Sequence, residues 1–495
     1  MTTKRQSGIL LHPTSLPSPF GIGDLGKEAY GFVDFLSRSR QKLWQVLPLN
    51  PVGYGESPFQ CFSAFAGNPM LISPQLLMEQ GLLTEQDIRP LPEFSQDRVE
   101  FERVREYKDR LLRRAFQQAK AGSKTPACQE TLARFPWLED YALFMALKQY
   151  FGGLPWNHWD QSIALRQRQA MDTFRHLLQE NMEYHIFLQH TFFSQWLALK
   201  RYANERGIQI IGDLPIFVSY DSSDAWANPH LFDLDELGNP ARVAGVPPDY
   251  FSETGQLWGN PHYRWAAMAK DDYQWWRERF KSLMQTVDII RIDHFRGFEA
   301  YWEIPAGETT AINGRWVKGP GEKFFSTIIR HLGEIPVIAE DLGIITPEVV
   351  KLKNQFNFPG MKILHFNLNK NEKEEFLPHH YEPNSVVYTG THDNDTTLGW
   401  YKKLLPGDVE FLNEYLNLDP AMKTEWICWR LMELAFQSQS NTAIIPLQDV
   451  LCLDSDARMN YPGTVGGNWQ WRFKQGDITP DIEEKLAALT VASKR

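Results

Sequence analysis

Eight short apolar, β-branched runs recur along the chain, most of them turning abruptly polar at the C-terminal end, and this pattern restricts the fold more than any other feature. The runs are GILLHP from Gly8, LWQVLPLNP from Leu43, IQIIGDLPIF from Ile208, DIIRIDHF from Asp288, PVIAEDLG from Pro336, MKILHFN from Met361, VVYTGTHDN from Val386 and AIIPLQDV from Ala443. Runs of this length bounded by turn residues read as buried strands. Helical patterns separate them, among them GKEAYGFVDFLSRSRQ and TPEVVKLKNQF. Eight strands alternating with helices predict an α/β chain folded as a (β/α)8 TIM barrel, whose active site is built from the C-terminal strand ends. A hydrophobic fraction of 43% in 495 residues is enough to fill so large a core.

Two spacings depart from a plain barrel, and both read as insertions into one catalytic unit spanning 1–495. Residues 51–205 carry strong helical stretches, VEFERVREYKDRLLRRAFQQA, WLEDYALFMALKQYF and a long one across Arg166 to Arg206, which predict a helical subdomain between the second and third strands. Residues 214–285 are rich in Gly, Pro, Asp and aromatics with little periodicity, which predicts long functional loops.

Three acids, Asp293, Glu340 and Asp393, stand at the ends of three of these runs. Glycosidic bond cleavage needs one carboxylic acid to protonate the leaving oxygen and a second carboxylate to attack or shield the anomeric carbon. A third can steady the charge that develops on the ring. Any one such acid is as often a helix cap or an ion-pair partner; three at the mouth of one barrel point to chemistry. Arg291 shares a strand face with Asp293, and a guanidinium there favours the ionised carboxylate that a nucleophile requires. Glu340 ends the apolar run VIAE, where desolvation favours a retained proton. In NPVGYGESPFQCFSAFAGNP, at the end of the second strand, Tyr54, Phe59 and Ser57 could hold a sugar, or simply pack the loop.

Other chemistries fare worse. A net charge of −10 disfavours nucleic acid and anionic membrane surfaces. No run approaches the apolar length of a spanning helix, and the N-terminus lacks a signal-peptide core, so a cytoplasmic location is expected. Four widely spaced cysteines predict reduced thiols. Gly21, Gly23 and Gly26 form a GxGxxG, but HPTSLPSPF separates it from the strand and no acid ends the next strand, so it reads as a turn. The adjacent pairs Asp293–His294 and His392–Asp393 match no metal-binding spacing, and neither metal nor cofactor is expected.

The motifs HPTSLPSPFGIGDLG, SAFAGNP, FPWLEDYALF, GDLPIFV, AGVPPDYFSETGQLWGNP, RIDHFRGF, AEDLG, GTHDNDT, PLQD and RMNYPGT together resemble the 4-α-glucanotransferases of glycoside hydrolase family 77 over nearly the whole chain. The resemblance implies a barrel of the α-amylase clan and a retaining double displacement on α-1,4-glucan donors and acceptors, by a monomer or weak homo-oligomer. It implies Asp293 as nucleophile, Glu340 as acid/base and Asp393 as transition-state stabiliser. Arg291, His392 and Asp213 match positions around the cleaved bond, and His294 and Asn460 are expected to bind the sugar. The loop 245–261, with Pro247, Tyr250, Phe251, Trp258 and Gly259, matches the family's cover over the donor glucan. Family members usually carry tyrosine where this chain has Phe59, so a ring is kept and a hydroxyl lost; no calcium motif is evident. The rivals are a hydrolase of the same clan and a catalytically silent glucan-binding protein, the latter disfavoured because all three carboxylates are present.

Overall fold

The computed structural model describes residues 5–122, 128–248, 252–418 and 426–495. Twelve strands are present among them: β1 (Gln6–Leu10), β2 (Leu43–Gln45), β3 (Gln209–Pro215), β4 (Arg242–Val246), β5 (Gln256–Pro261), β6 (Ile289–Asp293), β7 (Ala300–Pro305), β8 (Arg315–Lys318), β9 (Val337–Ala339), β10 (Gly360–Ile363), β11 (Ser385–Tyr388) and β12 (Thr442–Pro446). Eight of them close a barrel in the order β1-β2-β3-β6-β9-β10-β11-β12, with parallel pairing between neighbours. These are the eight runs read from the sequence.

Each of the eight barrel strands is largely buried on both faces, which is why the runs are apolar almost throughout. In β6, Ile290 and Ile292 are fully buried on one face while Arg291 and Asp293 share the other. The register of β3 against β6 sets Asp213 directly beside Arg291, so both side chains enter the barrel together. Inside the barrel the Tyr388 hydroxyl donates to Gln45 Oε1 at 2.8 Å, so these two buried polar groups satisfy each other. The helix Lys27–Arg38 between β1 and β2 shows how the outer layer forms: Ala29, Phe32, Val33 and Leu36 recur at helical spacing and are buried.

The insertion between β2 and β3 is helical, with Phe101–Ala121, Leu138–Tyr150 and Gln179–Glu205 its longest members. The stretch read as one helix across Arg166 to Arg206 is instead two, Arg168–Leu177 and Gln179–Glu205, joined at Leu178. One hydrophobic core runs without a break from the barrel strands into these helices.

The insertion between β3 and β6 holds more regular structure than its composition suggests. Its strands β4 and β5 pair antiparallel, and β7 and β8, which follow β6, complete a four-stranded sheet in the order β5-β4-β7-β8. Gly245, Gly259 and Pro261 obscure the two-residue alternation there, and one of the two partners of β4 comes from the far side of β6. The GxGxxG is a packed turn. A side chain on Gly21 would run into Phe94, and one on Gly23 into the Pro13 carbonyl, while Gly26 caps the helix Lys27–Arg38.

Candidate active site

The C-terminal ends of β3, β6, β9 and β11 bring the acids together. Arg291 Nη1 lies 2.6 Å from Asp213 Oδ2 and 3.1 Å from Asp293 Oδ1, so one buried guanidinium grips a carboxylate from each of two adjacent strands. Its Nε donates to the sulfur of Met361 on β10 at 3.4 Å. Burial pushes the Asp213 carboxyl up, and the Arg291 cation pulls the other way. The pairing fixes the direction in which Asp293 projects.

Glu340 follows β9 and accepts two main-chain amides, from His294 at 2.6 Å and from Leu342 at 3.0 Å. Burial pushes its carboxyl up to about 7, and the negative charge of Asp293 adds to the rise. Arg291 and the two amides oppose this without cancelling it. The two acids therefore sit in unlike settings: Asp293 leans on a cation, and Glu340 is desolvated and holds its proton into the neutral range, the division of labour that two-carboxylate catalysis uses.

His294 reaches Glu340 only because its backbone is left-handed, at φ 53° and ψ 51°, a conformation costly for a residue with a side chain. That turn aims its N–H at the carboxylate. Its ring stands edge-on to Trp258 at 4.9 Å, and burial drives the imidazole down to about 3, which leaves it neutral. Its Nε2 is buried with no hydrogen-bond partner among the described residues. Sequence reasoning cast His294 as a sugar contact; its clearest role here is through its backbone.

Asp393 follows β11. Its Oδ1 accepts the Asn460 side-chain amide at 2.6 Å and lies 3.4 Å from His392 Nε2. The His392 ring is stacked on Phe59 at 5.0 Å with 13° between planes, and Trp469 leans on both rings at 5.7 and 5.9 Å. Phe59 thus commits a face to a histidine beside the Asp393 carboxylate. Ser57 Oγ accepts the Phe59 amide at 3.3 Å and so shapes the same loop.

Trp258 and Gly259 lie on β5, with Trp258 half-buried and 6.5 Å from Phe217. Pro247 is half-buried just past β4. Tyr250 and Phe251, and the side chain of Tyr54, fall outside the described residues. The sequence reading did not single out Arg458 or Trp469. Arg458 stands inside RMNYPGT, two residues before Asn460, but nothing in its spacing marks it. Among the described residues, the one group of three metal-donor side chains close enough to share an ion is exposed Glu374, His379 and His380, on the segment leading into the N-terminal end of β11. Neither His-Asp pair belongs to it.

A parallel (β/α)8 barrel with three carboxylates at its C-terminal mouth, one cradled by arginine and one kept protonated, defines an enzyme that works on glycosidic bonds. The sequence profile of glycoside hydrolase family 77, described as 4-alpha-glucanotransferase, matches residues 11–479. The 4-alpha-glucanotransferase of Thermus thermophilus is 49% identical over 505 residues, covering 100% of both chains. The chloroplastic/amyloplastic 4-alpha-glucanotransferase of Solanum tuberosum is 43% identical, over 98% of this chain and 85% of that one. Among solved structures, the amylomaltase of Streptococcus agalactiae in complex with acarbose superposes with a TM-score of 0.96 at 41% identity, covering 99% of this chain and 100% of that one. The chain belongs to the 4-alpha-glucanotransferase family, glycoside hydrolase family 77, and is a transferase of that class.

Proposed function

We propose that the enzyme moves α-1,4-glucan segments between malto-oligosaccharides by a retaining double displacement. Glu340 gives its proton to the glycosidic oxygen as the Asp293 carboxylate attacks C1, which releases the reducing-end fragment and leaves a β-glucosyl ester on Asp293. Asp393 faces the positive charge that gathers on the ring during both steps. Glu340, now a carboxylate, takes the proton of an acceptor 4-hydroxyl, whose oxygen displaces Asp293 and restores an α-linkage. The observation that carries this reading is the contrast between Asp293, held by Arg291, and Glu340, desolvated and protonated near neutrality.

Transfer exceeds hydrolysis when an acceptor hydroxyl is held against the intermediate at high effective molarity and water is kept out. Where the acceptor is the free end of the same donor chain, the product is a ring. We place the enzyme in the cytoplasm, as a monomer or weak homo-oligomer; no helix among the described residues is long and apolar enough to cross a membrane. Incubation with maltotriose tests the reading. Glucose and a ladder of longer maltodextrins should appear with almost no net gain of reducing ends, whereas reducing ends rising in step with bond cleavage would make the enzyme a hydrolase.

A further inference from the structure

Arg458 lies on the loop after β12 and spends its guanidinium on main-chain carbonyls. Its Nη2 donates to the carbonyl of Asp393 at 2.5 Å and its Nε to the carbonyl of Asn460 at 2.8 Å, with its plane 4.0 Å from the Tyr461 ring centroid. Asn460 closes the circuit. Its side-chain amide donates to Asp393 Oδ1 at 2.6 Å, and its main-chain N–H donates to the His392 carbonyl at 3.1 Å. One planar cation therefore holds the backbone of Asp393 and also the backbone of the residue whose side chain grips the Asp393 carboxylate.

The two loops come from different strands, β11 and β12. The β11 loop shapes itself: Asn394 Oδ1 accepts both the N–H and the hydroxyl of Thr391. The two loops are also tied through Asp449, which accepts from Thr389 and Thr397, and through Ser455 Oγ, which donates to Asp395 Oδ2 at 2.9 Å, but the contacts of Arg458 and Asn460 are the ones that set the distance between the β12 loop and Asp393 itself. A guanidinium presents several donors in a fixed fork, so it can set that distance; a lysine ammonium, a single point on a flexible stem, cannot.

We propose that Arg458 is a positioning residue for the transition state: it ties the loop after β12 to the loop after β11 and thereby fixes the Asp393 carboxylate where the charge on the ring develops. The proposal rests on the stabilising role given to Asp393 above. Misplacement of a catalytic group by about 1 Å costs on the order of 10²-fold in rate. Stabilisation lost only in the transition state lowers kcat and spares KM.

The test uses the full chain with maltotriose. Arg458→Ala and Arg458→Lys should each lose about 10²-fold in kcat, with KM changed by no more than a few-fold and Tm close to the parent's. Millimolar guanidinium should restore part of the Arg458→Ala activity and none of the Asp393→Asn activity. The double variant Arg458→Ala/Asp393→Asn should be no slower than Asp393→Asn alone, because a residue that works through Asp393 has nothing left to position. Multiplicative losses in the double variant, or a rise in KM with kcat intact, would overturn the proposal. If Arg458→Ala does not fold, Arg458→Lys and its double variant carry the same comparison. Full activity in Asp393→Asn would remove the role of Asp393 itself, while an impaired Asp393→Asn beside intact Arg458 variants would sink the positioning idea alone.

Discussion

A single residue, Glu340, shows how the site trades stability for reactivity. Burial and the Asp293 charge hold its proton up to about 7, so in the range between the ordinary glutamate value and 7 the folded chain binds more protons than the unfolded one. Stability from this group is therefore full at low pH and declines as pH rises through that window. Catalysis needs the same proton, so kcat/KM for bond cleavage should fall as pH climbs above about 7. Glu340→Gln should lose the alkaline limb with glucosyl fluoride, whose leaving group needs no protonation, and should accumulate a covalent sugar on Asp293. Its Tm advantage over the parent should be larger at pH 8 than at pH 5. Mass spectrometry that finds the sugar on another residue would overturn the nucleophile assignment, and a Tm difference independent of pH would show that Glu340 is not held protonated by the fold.

At the scale of elements, the loops after the strands decide what the carboxylates meet. The β4–β5 hairpin turns through Gly255 at φ +68°, where a Cβ would fall 2.4 Å from the Val246 carbonyl, so its close return requires glycine. It delivers Trp258 edge-on to His294, whose backbone N–H holds Glu340. A covering role predicts that Trp258→Ala keeps its melting temperature, binds glucan more weakly and diverts a larger share of turnover to hydrolysis. Lost stability with normal transfer in the surviving fraction would reduce Trp258 to packing. This region also marks where the sequence stopped being legible. The barrel strands were readable because burial on two faces writes an unbroken apolar run that ends at the chemistry, as in VIAE and IIRID. Strands β4 and β5 were not, because RVAGV pairs on one side with β7, beyond β6, and QLWGNP joins the sheet only as its edge through RVAGV, and such pairing leaves no local trace. The carboxylates were legible for the same reason as the strands. The grip of Arg458 on two carbonyls was not, since a bond to a backbone leaves no mark on the residue that accepts it.

Across the whole molecule, the helices between β2 and β3 were legible as helices, but their union with the barrel had to be seen. Trp196, on the inserted helix Gln179–Glu205, is fully buried. Its ring lies 6.5 Å from Trp44 of β2, and its Nε1 donates to the Thr286 carbonyl at 2.9 Å, at the end of the helix that leads into β6. Trp44 in turn meets Phe32 on the helix after β1 at 5.1 Å. Contacts of this kind join insertion and barrel through a shared apolar core, whereas separable domains meet across smaller and more polar surfaces. Trp196→Ala should therefore cost roughly 3–5 kcal/mol, as deletion of a large buried ring does, and the cost should fall on the entire fold. Thermal unfolding followed by helical circular dichroism and by loss of transferase activity should move down together in the variant, with one coincident transition before and after the change. If the helical signal melts first while activity persists, the insertion is an independent unit that merely rests on the barrel, and Trp196 belongs to its private core.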